Sequence, residues 1–302
     1  MHSRRAILQW AGLAAGSAMV RRAAAATDSL ISRKIPSSGE ALPAIGLGSS
    51  HTFDVTSAAD QAEVNAVMSD FARLGGRLVD SSPMYGAAES AIGNAIGQLD
   101  LAKRLFLATK VWTTGREAGI EQAKESMRRM RTRQFDLLQV HNLVDVDTHL
   151  KWLKEWKQQH LVRYVGVTHS SDRAHASLEK QVTSRQLDFV QLNYSIAERA
   201  VEERLLPAAL ASGVAVIVNR PFARAGLFER VRGRPLPDWA SEFDAASWAQ
   251  FFLKYVLAHP AVTCAIPATR NLKHLADDMQ GGRGRLPDEK MRRRMVDLLS
   301  SL

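Results

Sequence analysis

A chain of 302 residues that is 46% apolar and 24% charged can bury a large core, which excludes disorder and fibrous repeats. Its formal charge of +9 raises nucleic acid or an anionic surface as partners. Yet Arg4, Arg5, Arg21 and Arg22 all fall in the first 26 residues, which hold no acid, so the remainder is only mildly basic. A single cysteine, Cys264, can form no internal disulfide, and within Val262-Thr263-Cys264-Ala265-Ile266 it reads as a small buried hydrophobe.

In chain order, the first segment reads as an address. Ser3-Arg4-Arg5-Ala6-Ile7-Leu8-Gln9 sets paired arginines ahead of an Ala/Gly-rich apolar stretch that reaches Val20, and Ala23 to Ala26 suit a signal peptidase. The stretch is too short to span a bilayer comfortably. It resembles a bacterial twin-arginine export signal, with Gln9 where lysine is frequent. That resemblance implies folding in the cytoplasm, passage through the twin-arginine export machinery, a periplasmic or otherwise exported location, and no stable membrane anchoring after processing. Residues 27–302 then form one domain.

Two short extended stretches flank Ser37-Ser38-Gly39-Glu40 and predict a hairpin. Strand-like runs near 42–48, 77–80, 104–110, 135–141, 163–168, 188–193, 214–219 and 262–266 then alternate with segments of helical period. Nearly continuous apolar runs such as Val214-Ala215-Val216-Ile217-Val218 suit a parallel sheet covered on both faces. Eight such units predict an α/β fold, a (β/α)8 TIM barrel preceded by a short N-terminal β-hairpin. No Gly-x-Gly-x-x-Gly follows a first strand, which argues against an open dinucleotide-binding sheet.

Three strands end in ionisable residues. Asp80 follows Leu78-Val79, with the phenol of Tyr85 five positions on; Lys110 closes Leu105 to Thr109; His141 closes Phe135 to Val140. In a barrel the carboxyl ends of the strands share one mouth, so these groups meet there. The series Asp80-x-x-x-x-Tyr85-Gly86, Thr109-Lys110 and Gln139-x-His141 resembles the catalytic tetrad of the aldo-keto reductases. Ile45-Gly46-Leu47-Gly48, Tyr164-Val165-Gly166-Val167-Thr168, Val190-Gln191-Leu192-Asn193 and Ile266-Pro267-Ala268-Thr269-Arg270-Asn271 extend the resemblance along most of the chain. It implies an oxidoreductase that reduces an aldehyde or ketone, or oxidises an alcohol, by direct hydride transfer from a nicotinamide cofactor. Tyr85 would donate the proton, the Lys110–Asp80 pair would tune it, and His141 would orient the carbonyl. The chemistry suits these residue types, because hydride arrival puts negative charge on oxygen and an ammonium stabilises a neighbouring phenolate.

The same resemblance assigns the cofactor site. Thr168 and Gln191 stand where relatives hold the nicotinamide carboxamide, with His169 in place of a frequent asparagine. Asn219-Arg220-Pro221-Phe222 replaces a stretch that usually begins with a stacking tyrosine. The loop through Arg224 and Gly226 would wrap the pyrophosphate, with Arg220 or Arg224 adding charge or remaining solvated. Thr269, Arg270 and His274 lie at the start of a helix suited to a ribose 2′-phosphate, which favours NADP(H), with NAD(H) the alternative. His51, Phe53, Met84 and Trp112 are candidate walls of an apolar substrate pocket, core packing being the other reading of each. The segment from Phe222 to Phe243, with Trp239, is expected to fold over cofactor and pocket.

The basic clusters at Arg128 to Arg133 and Arg292 to Arg294 lack interleaved aromatics and read as solvated helix faces, not nucleic-acid contacts. His160, His175 and His259 show no metal-ligand spacing. Two other functions compete with the reductase: a nicotinamide-binding regulatory or partner-binding barrel with little turnover, and a lyase that uses Lys110 as a Schiff-base nucleophile.

Overall fold

The computed structural model describes residues 29–184 and 186–302. The export signal read in residues 1–26 lies outside the described residues. The first elements are β1 (Ser32–Lys34) and β2 (Ala41–Pro43), an antiparallel hairpin with Arg33 opposite Leu42. Then come β3 (Leu47–Gly48), α1 (Ala58–Arg73), β4 (Leu78–Asp80), α2 (Ala88–Leu99), β5 (Phe106–Val111), α3 (Arg116–Arg129), β6 (Phe135–His141) and α4 (Val146–Gln158). The second half runs β7 (Val162–His169), α5 (His175–Thr183), β8 (Phe189–Asn193), α6 (Leu205–Ser212), β9 (Ala215–Asn219), α7 (Gly226–Arg230), α8 (Trp248–Leu257), β10 (Val262–Ala265), α9 (Leu272–Gly281) and α10 (Glu289–Ser300).

Strands β3 to β10 pair in parallel and in chain order. The two edges then meet. Ile45 bridges Ala265, Gly46 N donates to Ala265 O at 2.8 Å, and Gly48 N donates to Pro267 O at 2.9 Å. A Cβ at Gly48 would sit 2.9 Å from Ile266 O, so only glycine lets the edges approach this closely. The result is the expected (β/α)8 barrel.

Strand parity explains what fills it. Leu78, Phe106, Leu137, Tyr164, Phe189 and Ile217 point inward and form one apolar cluster with Ile35 and Leu42 of the hairpin segment. The hairpin therefore plugs the amino-terminal end of the barrel, where each buried large side chain contributes roughly 1.5–3 kcal/mol. Its polar atoms are matched as well. Tyr164 Oη donates to Glu40 Oε2 at 2.8 Å and accepts from Ser38 Oγ at 2.7 Å, and Arg77 and Arg163 also donate to Glu40. With that end closed, access to the interior falls to the carboxyl ends of the strands.

A second core lies between strands and helices, where α1 presents Val64, Val67, Met68 and Phe71 and α4 presents Trp152 and Trp156. The segment after β9 departs from the expected cover. It folds into α7 and a 3-10 turn at Asp238–Phe243, and Trp239 packs on Phe243 and Phe251 with the Arg294 guanidinium 4.3 Å above its ring. Trp239 is thus committed to the aromatic surface of α8.

Candidate active site

Asp80 is the last residue of β4 and sits in register with Ala108, two residues before Lys110 on β5. Both side chains are withdrawn from solvent, and Lys110 Nζ donates to Asp80 Oδ2 and to Ser81 O, each at 2.6 Å. Burial works against the ammonium, but Asp80 and then Tyr85 outweigh it and hold Lys110 above the ordinary lysine range. Gln139 Nε2 lies 3.5 Å from the second Asp80 oxygen. Behind the strand, the buried Glu89 carboxylate on α2 accepts from Thr109 Oγ1 at 2.7 Å and Ser126 Oγ at 3.1 Å, which fixes the backbone beside Lys110.

Tyr85 reaches the same point from the loop after β4. Its ring centre lies 5.1 Å from Lys110 Nζ, and it meets the His141 ring edge-on at 6.0 Å and 88°. The turn that presents it depends on Gly86, whose φ is +59° and where a Cβ would sit 2.2 Å from Asp54 Oδ1. That same oxygen accepts from Ala87 N at 2.8 Å and pins the turn.

His141 closes β6 in register with Thr168. Burial, then Lys110 and His169, push its imidazole down to about 3, so it is neutral at physiological pH. Its Nδ1 lies 3.0 Å from Ser82 Oγ. The three strand-end residues and Tyr85 of the following loop thus come together. Ser82, Glu89 and Asp54, which support them, carry no signal in the spacing of the sequence.

The candidate cofactor residues divide into two groups. Thr168 and Gln191 are buried side by side on β7 and β8. Gln191 Oε1, Asn193 Oδ1 and Asn219 Oδ1 are buried acceptors with no donor among the described residues, the first midway along β8 and the other two at the ends of β8 and β9. Such orphans call for a donor, and a carboxamide NH2 fits them. Asn193 closes the Val190-Gln191-Leu192-Asn193 run but is not among the residues that the resemblance assigns to the cofactor. His169 Nδ1 accepts from Ser171 N at 3.1 Å, and Arg220, with φ +54°, donates to Ser170 O at 3.2 Å. Ala223, Arg224 and Ala225 are consecutive left-handed residues that lead the chain into α7 at Gly226, where a Cβ would meet nothing within 4 Å. Phe222 packs on Phe228 at 4.9 Å.

The group proposed for a 2′-phosphate is arranged differently from expectation. Arg270 pairs with Asp60 at 2.7 Å and with Glu63 at 3.7 Å, both on α1. Thr269 Oγ1 accepts from Asn271 N, and Asn271 Oδ1 caps α9 by accepting from Lys273 N and His274 N. The guanidinium and the helix amides therefore already have local partners, and the His274 side chain is exposed.

Among the pocket candidates, Met84 and Trp112 are large apolar side chains left 40% and 43% exposed, and His51 is exposed at φ +61°. Gln122 brackets the Trp112 backbone, accepting from its N at 2.6 Å and donating to its O at 3.1 Å. Phe53 is fully buried in the main core and supplies packing, not an open wall.

The sequence pattern of the aldo/keto reductase family matches residues 44–295. A methylglyoxal reductase of Escherichia coli, YeaE, is 27% identical over 241 residues, covering 78% of this chain and 83% of its own. An uncharacterized oxidoreductase of Bacillus subtilis, YqkF, is 25% identical over 303 residues, covering 86% and 94%. Among solved structures, an aldo/keto reductase from Klebsiella pneumoniae in complex with NADP and acetate superposes with a TM-score of 0.72 at 24% identity, covering 86% of this chain and 93% of that one. The holo form of aldo-keto reductase AKR11C1 from Bacillus halodurans gives 0.73 at 23% identity, covering 90% and 96%. At these identities the structural likeness speaks to the barrel.

Proposed function

The chain belongs to the aldo/keto reductase family, and from that premise we propose that it reduces an aldehyde or ketone with NADPH, using Tyr85 as the proton donor. The observation that carries the reading is the Lys110 ammonium, held 2.6 Å from Asp80 and facing the Tyr85 ring at 5.1 Å. A positive charge fixed beside a phenol stabilises the phenolate that remains once the proton has left. A bound nicotinamide would supply the hydride. Around it, Thr168 and the orphaned acceptors of Gln191 and Asn219 would hold the carboxamide. Neutral His141 would donate a hydrogen bond to the carbonyl oxygen. Met84 and Trp112 would cover the apolar part of the substrate. The name of the Escherichia coli relative makes 2-oxoaldehydes such as methylglyoxal the first substrates to try.

Arg220 and Arg224 are the cations this reading gives to the pyrophosphate. A 2′-phosphate at Arg270 would have to draw it from Asp60, so NADP(H) discrimination resting on Arg270 alone would be weak. The low-turnover binding barrel is favoured by one specific feature, the replacement of the usual neighbours of the nicotinamide by His169 and Asn219. The lyase reading is disfavoured because Lys110 stays charged beside Asp80 and is no free nucleophile. The test is turnover and binding of NADPH and NADH, measured separately, with aldehydes and ketones. Carbonyl-dependent oxidation of the cofactor supports the reductase, tight binding without turnover the binding barrel, and no binding overturns both.

The arginine pair and apolar run at the start of the chain support export as a folded, cofactor-loaded protein. Replacing Arg4 and Arg5 with lysine would then retain the protein in the cytoplasm on cell fractionation, whereas unchanged partitioning would contradict export.

A further inference from the structure

We propose that Ser82 is a positioning residue that fixes the tautomer of His141, by donating its hydroxyl hydrogen to Nδ1 so that the proton of the imidazole sits on Nε2 and faces the mouth. Ser82 is fully buried, and its Oγ lies 3.0 Å from Nδ1. The other hydrogen-bond partner of that oxygen is Met84 N, a donor, at 3.4 Å. Among the described residues the hydroxyl hydrogen therefore has one acceptor within reach, the Nδ1 lone pair. The opposite tautomer would place N–H against O–H and strand the hydroxyl hydrogen in a dry site. The neutrality of His141 sharpens the choice, because a neutral imidazole carries one N–H and has to place it on one nitrogen or the other.

The consequence concerns the charge that develops on the substrate. An Nε2–H aimed into the mouth is a hydrogen-bond donor for a carbonyl oxygen that becomes an alkoxide, whereas an Nε2 lone pair in the same place would repel it. His141 thus stabilises charge without giving up its proton, and proton delivery is left to Tyr85. This role rests on the reductase reading for its kinetic effect, but the tautomer itself does not depend on it.

The experiment records imidazole nitrogen shifts of the full chain labelled in histidine, at neutral pH, with His141→Phe assigning the signal. The expected result is bare Nδ1 and protonated Nε2 in the parent and in Ser82→Thr, with Ser82→Ala gaining the Nδ1–H form. In parallel, kcat for carbonyl reduction should fall roughly tenfold in Ser82→Ala, less than the ~10²–10³ lost when an oxyanion donor is removed outright, and should recover in Ser82→Thr. A parent protonated on Nδ1, or Ser82→Ala with unchanged nitrogen shifts, would overturn the proposal. If the parent shows no turnover, the reductase reading fails while the nitrogen shifts still decide the role of Ser82.

Discussion

Lys110 is the residue on which the electrostatics of the mouth turn. Its ammonium is 1% exposed and leans on one carboxylate and one carbonyl. Taking away the carboxylate leaves a buried charge without its counter-ion, which costs roughly 3–5 kcal/mol. Asp80→Asn should therefore lower the unfolding free energy measured in urea by that amount and reduce turnover with it; a variant as stable as the parent would contradict the pairing. Gly86 gives a second residue-scale prediction. Alanine there would occupy a left-handed φ and press on Asp54 Oδ1, at a cost of about 1–3 kcal/mol and with Tyr85 displaced. In an Asp54→Ala background, which already lacks the hydrogen bond from Ala87 N, Gly86→Ala should cost less than it does in the parent, because the contact is gone and only the φ strain remains. An equal cost in both backgrounds would mean that the steric contact is immaterial.

At the scale of elements, what holds the barrel to its last helix is a polar knot. Arg292 on α10 donates to Glu202 and to Tyr194 Oη, Tyr255 Oη donates to Glu202 at 2.9 Å, and the guanidinium lies 4.5 Å over the Tyr255 ring. The Arg292 side chain is only 12% exposed and Glu202 25%, so solvent screens the contact little. Arg292→Ala should cost about 2–4 kcal/mol, read as a lower thermal midpoint. Lysine should rescue little, lacking the planar fork. This knot also shows where sequence reasoning stops. The run Arg292 to Arg294 looks like a solvated basic face, and that holds for Arg293, whereas Arg292 finds Glu202 some 90 positions earlier in the chain. Local spacing carries no trace of such a partner. Arg270 pairs with Asp60 across 210 positions, another partner that local spacing does not reveal.

For the molecule as a whole, the fold was legible because parallel strands buried on both faces leave continuous apolar runs in the sequence. Asp80, Lys110 and His141 were legible because an ionisable residue closing such a run lies at a strand's carboxyl end, at the mouth, whereas Tyr85, in the loop beyond, is not marked by that rule. Phe53 was not, since a phenylalanine near a strand end looks the same whether it walls a pocket or fills a core. The buried histidine has a consequence for the entire protein. His141 titrates near 6.5 when unfolded and about 3 when folded, so below 6.5 the unfolded chain takes up a proton that the folded one refuses. The stability tied to it is fully present above 6.5 and is lost as pH falls toward 3. Denaturant unfolding at neutral and mildly acid pH should show a smaller loss in His141→Asn than in the parent; an equal loss would mean that His141 is not buried in its neutral form.

The central claim is that Tyr85, set against Lys110, delivers the proton in a nicotinamide-dependent reduction. The measurement that tests it most directly is carbonyl-dependent oxidation of NADPH by the parent and by Tyr85→Phe, with cofactor affinity followed in both. The account predicts turnover in the parent and a drop of roughly 10²–10⁴-fold in the phenylalanine variant at unchanged affinity. Equal turnover in the two proteins would contradict it.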